Sequence, residues 1–290
     1  MAKAYKTEVV HAPPHLSEKL EAKAKSKQIL RKRSDLTGSF HRAVVLTRAV
    51  ARGGGDGAAL KDLVSWTLLP RPTIHRVLDM LIEAGWVERD AKTRRFHLGA
   101  DLVTLGRVAA LRHPLESAAT TELALLAREI GQTIYLIVRA GLDGVCVARE
   151  ESASPIQTLV LKIGSHVPLG WGAGSMAILT ALSEDEAARI VASNQARYAR
   201  LPSFSKIAFD KAVQESRRLG FASHDGLFTR GIGGIGVPIR DPSGHPLAAI
   251  STAFVSEWLD QQKRVHCAAK LKAAAARIAA RYLDSQARRS

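Results

Sequence analysis

Seven side chains between Arg71 and Arg95 could act on a polyanion. They are Arg71, Thr73, His75 and Arg76, then Lys92, Arg94 and Arg95, with Pro72 set among the first group. A guanidinium can bridge the two acceptors of a guanine edge. A threonine can meet a thymine methyl or a phosphate, and a lysine pairs with phosphate as a point charge. Bond-making chemistry finds less support. The ten histidines include no i, i+4 pair beside a carboxylate ligand on one helix. No G-x-x-x-x-G-K-[ST], H-E-x-x-H or G-x-S-x-G motif occurs, and "GAGSMA" has the wrong spacing for the last. "GIGGIG" leads into a strand, whereas a dinucleotide fingerprint leads into a helix. The expectation is recognition, with no catalytic residues, no metal and no cofactor.

The basic groups need elements to hold them. Ile74, Val77, Leu78, Leu81 and Ile82 recur at i, i+3, i+4, i+7 and i+8, one apolar face of a helix over 70–84. Pro70 and Pro72 lie at its start, where a missing N–H costs little, and Gly85 follows where a left-handed residue is wanted. Packing of that face leaves Arg71, Pro72, Thr73, His75 and Arg76 at the free front end. A helix over 39–52 capped by Ser39, the break "GGGDG" and a short helix over 59–66 come before. "WVERD" and "RRFHLG" come after as two strands with a turn at 91–93. This order is the plan of a winged helix-turn-helix, whose last helix enters the major groove while its wing meets flanking backbone. Taken alone, the helix reads equally as one with an ordinary solvated face.

Charge separates along the chain. Of 290 residues with a formal net charge of +15, residues 1–113 hold 21 Lys+Arg against 11 Asp+Glu. Residues 114–259 hold 13 against 14, and 260–290 hold eight against two. A basic front joined to a neutral middle suits a polyanion binder attached to a second activity. At 46% hydrophobic and 24% charged, both parts can bury a core. No run of about 18 apolar residues and no apolar leader core occurs, so the expectation is a cytoplasmic protein. Cys146 and Cys267 lack C-x-x-C spacing and read as buried free thiols. Residues 1–38 read as a basic N-terminal extension, either mobile or touching phosphates.

Residues 100–113 read as a linker helix, with Pro114 at a boundary. Beyond it the pattern predicts a helix over 115–130 ended by Gly131, and strands near 133–139, 144–150 and 157–163. Helices follow near 173–182, 184–193 and 206–219, the last ended by Gly220. Strands near 232–240 and 246–254 are joined by "DPSGH", and a helix covers 257–284. Strands joined by short turns, with helices in groups, predict an α+β domain on a mainly antiparallel sheet over 114–290.

The stretch from Ser39 to Gly99 resembles the DNA-binding domain of the IclR family of bacterial transcriptional regulators. It carries Ser-x-x-Arg-Ala at 39–43, Leu-Pro-x-x-Thr-x-His-Arg at 69–76 and a glycine–aromatic pair, Gly85–Trp86, leading into the wing. "IGSHVPLGWGAGSMAIL", "ESRRLGFASHDG" and "GIGVPIRDPSGHPLAAISTA" are similar, in order, to the family's effector domain, so the resemblance covers about 39–285. It implies a winged helix-turn-helix at 39–99 and a GAF-like effector-binding and oligomerisation domain at 114–290. It also implies a dimer or dimer of dimers on palindromic operator DNA, and a small organic acid as effector, with no membrane partner.

Carried over position by position, the family's effector pocket falls on Ala173, Gly174, His224, Gly234 and Ser251, with Trp171 adjacent. "GWGAGS" exposes N–H groups at a helix N-terminus, which suits a carboxylate. Ser251 can donate, and His224 can be a cation or a donor near neutral pH. Other readings stand beside these: Trp171 as plain core, His224 as a satisfied histidine, and the "RGIGGIGV" glycines as close strand packing. His224 stands where Asp is common, Gly234 where Cys is common and Ala253 where Ser is common. A roomier, less acidic and less polar pocket is therefore expected, for an aromatic or otherwise larger acid and not a glyoxylate-sized one. Two further departures concern DNA. Leu68 replaces a usual glycine before the recognition helix, so a different turn is expected there. The wing tip lacks glycine, which argues against a tight two-residue turn. The alternative function is an architectural DNA-binding protein with a ligand-free oligomerisation domain.

Overall fold

The computed structural model describes residues 38–111, 114–154, 158, 160–201, 204–258 and 260–288. The N-terminal unit contains α1 (Ser39–Arg52), a short 3-10 turn (Gly54–Asp56), α2 (Leu60–Thr67), α3 (Arg71–Glu83) and the hairpin β1 (Val87–Arg89) and β2 (Phe96–Leu98). Ile74, Val77, Leu78 and Leu81 of α3 are buried against Leu46, Ala49 and Val50 of α1 and Leu63 of α2. Each such side chain stabilises the fold by roughly 1.5–3 kcal/mol on burial. Ile82, expected on the same face, is 37% exposed. At about 100° per residue it lies some 80° round from Ile74, at the edge of the stripe. Ala58 pairs with Phe96 by two backbone bonds of 2.9 Å, which ties the wing to the loop after α1.

The expected cap at Ser39 is not formed. Gly38 occupies the N-cap position and Ser39 the first helical position, with no side-chain cap bond. Helix α4 (Ala100–Ala110) follows the wing and buries none of its residues. The basic extension over 1–38 lies outside the described residues except for Gly38, as do residues 112 and 113 of the linker.

The second unit is a six-stranded antiparallel sheet in the order β5-β4-β3-β8-β7-β6. Its strands are β3 (Ile134–Ala140), β4 (Asp143–Glu150), β5 (His166–Pro168), β6 (Ala222–Thr229), β7 (Ile232–Arg240) and β8 (Pro246–Val255). Its helices are α5 (Leu115–Ile130), α6 (Ala173–Ala181), α7 (Glu184–Tyr198), α8 (Lys206–Leu219) and α9 (Gln261–Ala287). Strand alternation divides two cores. Ile134, Leu136, Ile235, Val237 and Ile250 pack with α5 and α9. Tyr135, Ile137, Ala249 and Ala253 pack with α6, α7 and α8. Glu122 of α5, 1% exposed, accepts from Arg277 at 2.9 Å and pairs with Arg281 at 3.0 Å, which fastens α5 to α9.

The strand expected near 157–163 is absent among its described residues, and 157 and 159 lie outside them. The backbone there is bonded to a side chain instead: Tyr135 Oη donates to Thr158 O at 2.8 Å and accepts from Val160 N at 3.1 Å. The edge strand is β5. Strand β6 is not signalled by "ASHDGLFT", whose apolar residues do not alternate and whose Gly226 takes φ 68 beside a bulge. Helix α7 runs to Tyr198, five residues past the expected end. A 3-10 turn at Ser256–Trp258 precedes α9, whose true cap is Asp260, accepting from Lys263 N at 2.8 Å. Both cysteines are buried and free, and burial pushes both thiols up to about 11. Among the described residues, no helix is long and apolar enough to cross a membrane.

Candidate DNA-binding surface and ligand cavity

Helix α3 starts at Arg71 after Pro70, with Pro72 in its first turn. Ile74 N donates to Pro70 O, so the N–H groups of Arg71 and Thr73 have no intrahelical acceptor and face outward as a partial positive charge. Arg71, Pro72, His75 and Arg76 are exposed and Thr73 is partly buried. The structure thus gathers the five residues expected at the front of this helix on its solvent side or at its edge.

The wing sorts its cations differently from the expectation. Lys92 and Arg94 are exposed at the tip. Arg95 turns back: its Nη1 donates to Gly57 O at 2.8 Å and Asp56 O at 3.4 Å. A guanidinium held by two carbonyls of the loop after α1 braces the wing, so Arg95, expected among the DNA-contacting residues, is half-buried and less free than Lys92 and Arg94. As expected, the tip is not a two-residue turn. Asp90 N donates to Arg95 O at 2.9 Å, and the Asp90 carboxylate accepts from Thr93 N at 2.6 Å and Lys92 N at 2.9 Å. These bonds, the Thr93 N–H foremost, hold the Asp90 carboxyl below its usual range. Arg94 closes the loop at φ 59. The turn before α3 also keeps its left-handed residue despite the β-carbon: Leu68 sits at φ 57, ψ 18, so the expected change of turn does not occur.

In the second unit a cavity of about 170 Å³ opens between the sheet and the start of α6. It brings together all six residues carried over from the resemblance: Trp171, Ala173, Gly174, His224, Gly234 and Ser251. Gly172, at φ 89, is the N-cap of α6, and the first intrahelical bond is Met176 N to Gly172 O at 2.8 Å. The N–H groups of residues 173–175 therefore have no partner within the helix. Gly170 N is already used by Ser175 Oγ at 2.9 Å. Glycines let the helix start lie on the sheet. A β-carbon on Gly236 would fall 2.2 Å from Ala173 O, and one on Gly174 would fall 2.7 Å from Ser251 Oγ. The close-packing reading of the "RGIGGIGV" glycines holds for Gly233, against Phe254, and Gly236. Gly234 combines it with lining the cavity, against His224.

The walls are aromatic. Trp171 meets Phe228 at 4.7 Å between ring centroids, and His224 meets Phe228 edge-on at 4.5 Å. Trp171 is thus cavity wall and partly buried core at once. Tyr135 lines the space, but its hydroxyl is spent on Thr158 and Val160. Among the described residues, no lysine or arginine lines the cavity. The ring of His224 keeps some surface because it opens on the cavity, yet desolvation by the packed protein around it pushes its pKa down to about 4. This corrects the cationic option: His224 is neutral near pH 7. Its buried Nδ1 has no hydrogen-bond partner among the described residues.

Sequence reasoning missed Tyr135, Ile137, Leu161, Phe228 and Ile232 as lining residues. Strand alternation puts Tyr135 and Ile137 on one face but does not say which face the cavity occupies. Leu161 falls where a strand is expected and does not form, and Phe228 lies on β6, for which the sequence carries no signal.

These features define a class: a winged helix-turn-helix joined to an α+β domain with a cavity between its sheet and a helix start. Comparison with known proteins agrees. Residues 40–91 match the family described as the IclR helix-turn-helix domain, and residues 108–280 match the bacterial transcriptional regulator IclR C-terminal family. The chain belongs to the IclR family of bacterial transcriptional regulators. It is 27% identical over 222 residues to the HTH-type transcriptional regulator KipR of Bacillus subtilis, covering 76% of this chain and 87% of that protein. It is 29% identical over 227 residues to the glycerol operon regulatory protein of Streptomyces coelicolor, covering 76% and 86%. An IclR regulator from Alicyclobacillus acidocaldarius has the same fold, with a TM-score of 0.68, 21% identity and coverage of 84% and 98%. So does an IclR homologue of Microbacterium hydrocarbonoxydans solved with 4-hydroxybenzoate, with a TM-score of 0.63, 18% identity and coverage of 83% and 99%.

The geometry of the wing sets a salt dependence. Replacing both tip cations, Lys92→Ala with Arg94→Ala, lowers the slope of log affinity against log salt by up to about 0.9 for each phosphate left unpaired. Arg95→Ala loosens the wing and leaves the slope nearly unchanged. An equal change in slope from Arg95→Ala would mean that Arg95 reaches DNA. His224 sets a pH dependence. The unfolded chain protonates it near 6.5 while the folded state resists to about 4, so the stability this residue contributes is complete above 6.5 and is lost as pH falls between those values. Thermal melts of His224→Phe should lose less stability than wild type over that window; an identical acid loss would contradict the assignment.

Proposed function

We propose that this protein is a ligand-responsive regulator that binds operator DNA as a dimer or dimer of dimers and senses a single-ring aromatic carboxylate. The observation that carries the ligand class is the cavity itself. Its anion-accepting groups are the unpaired N–H groups at the start of α6, its walls are Trp171 and Phe228, and its histidine is neutral. An apolar cavity of about 150 Å³ is known to hold benzene, so about 170 Å³ suits one ring with a small substituent. A glyoxylate-sized acid would leave the aromatic walls unfilled. The carboxylate then sits at residues 173–175, and Ser251 serves a polar substituent. The 4-hydroxybenzoate bound by the Microbacterium hydrocarbonoxydans homologue belongs to this class.

The oligomer is supported by α4. Val103, Leu105 and Val108 on it, with Leu111 just beyond, are 52–66% exposed, and the helix buries nothing. Such an apolar helix between the two units is suited to pack on its counterpart in a second copy. DNA contact is assigned to Arg71, Pro72, Thr73, His75, Arg76, Lys92 and Arg94, in a protein acting in the cytoplasm.

Thermal shift tests the ligand class. Benzoate and 4-hydroxybenzoate at about one hundred times their dissociation constant should stabilise the wild type by about 2.7 kcal/mol. Pyruvate and glyoxylate should do little, and Trp171→Ala should abolish the aromatic response. A response to small aliphatic acids alone, or one that survives Trp171→Ala, would overturn this reading.

A further inference from the structure

Leu68 is the residue of the DNA-binding unit that folding explains least. It is 79% exposed, so its side chain adds little to the core. Its backbone lies at φ 57, ψ 18, where a β-carbon is disfavoured and glycine is free. Its bond from Leu68 N to Val64 O, at 2.9 Å, is a backbone bond that glycine would make as well. The adjacent Leu69 already turns inward to pack on the core, so the turn has its buried leucine. The isobutyl group therefore contributes little to folding, while its β-carbon costs backbone strain that glycine would not. Strain of this kind persists where a site uses the group it presents.

Its surroundings say what the group meets. Leu68 stands three residues before Arg71, within about 10 Å of it along the chain. The exposed groups beyond it are Pro70, Arg71, Pro72, His75 and Arg76. Arg71, His75 and Arg76 can reach phosphates and polar base edges, whereas apolar contact falls to Leu68, the largest exposed apolar side chain there, with Pro70, Pro72 and the Thr73 methyl beside it. The thymine 5-methyl is the one apolar feature of the major groove, and apolar side chains read it by contact.

We propose that Leu68 is a specificity-determining residue whose side chain packs on the 5-methyl of a thymine at the edge of the operator's major groove. The inference rests on the DNA-binding reading of α3 and adds to it a position and a base.

The test selects operators from a random-sequence duplex pool with full-length wild type and with Leu68→Gly. Affinity is then measured on the selected operator and on copies with each thymine replaced in turn by uracil, which lacks only the methyl. Wild type should require thymine at one position in each half-site. Uracil there, or Leu68→Gly, should each lower affinity about fourfold, the effect of burying one methyl-sized group. Leu68→Gly should bind the thymine and uracil operators alike, and Leu68→Met should keep the preference. The melting temperature of Leu68→Gly should rise, which separates loss of the methyl packing from damage to the turn.

Three outcomes would overturn the proposal. Leu68→Gly binding with wild-type affinity and thymine dependence would place the leucine against something other than the groove, a protein partner included. A fall in both affinity and melting temperature would assign it a structural role. Failure of the wild type to select any operator would remove the DNA-binding reading itself, and this inference with it.

Discussion

Helix α6 can begin where it does only because Gly236 has no side chain. The helix's first carbonyl, Ala173 O, lies 2.2 Å from the place a β-carbon of residue 236 would occupy, and Gly174 N lies 2.8 Å from it. Backbone therefore meets backbone, and the unpaired N–H groups at the helix start come down to the floor of the sheet. The rest of the cavity is arranged around that end. Gly172, at φ 89, turns the chain into the helix, Trp171 and Phe228 wall the space, and Tyr135 spends its hydroxyl on Thr158 and Val160, the latter also a lining residue. An anion placed there meets oriented dipoles in a largely apolar recess, where dipoles act more strongly than in water.

The DNA-binding unit obeys a similar economy of positions. One stripe of α3 is consumed by Leu46, Ala49, Val50 and Leu63, and this burial fixes which side chains remain outside. The basic groups are not equivalent once the chain folds. Arg95 is drawn to the carbonyls of Asp56 and Gly57, Arg89 lies over the Phe96 ring at 5.2 Å, and Lys92 and Arg94 stay exposed at the tip. Net charge alone would count all four toward a polyanion.

Much of the architecture is legible in the sequence because it rests on strong periodicity. The α3 stripe, the α5 helix ended by Gly131 and the hairpin joined by Asp241–His245 each follow from local rules. The six cavity residues are legible only through family resemblance, since no local pattern joins Trp171 to Ser251 across the sheet. What fails depends on tertiary partners. Tyr135 captures the backbone of residues 158 and 160, so the expected strand there gives way. Strand β6 pairs with β7 at the sheet edge without an alternating signature. His224 reads as titratable near neutrality, but desolvation by its packed surroundings keeps it neutral down to about 4. Leu68 reads as incompatible with a left-handed turn, yet the turn between α2 and α3 imposes that conformation on it.

The close approach at Gly236 is tested most directly by solving crystal structures of wild type and Gly236→Ala. Relieving an approach of 2.2 Å to ordinary separation requires Ala173 to move by about 1 Å or more. The account predicts that α6 lifts from β7 by that amount in Gly236→Ala while the winged helix-turn-helix is unchanged. An unmoved α6, with the added methyl accommodated in place, would contradict it.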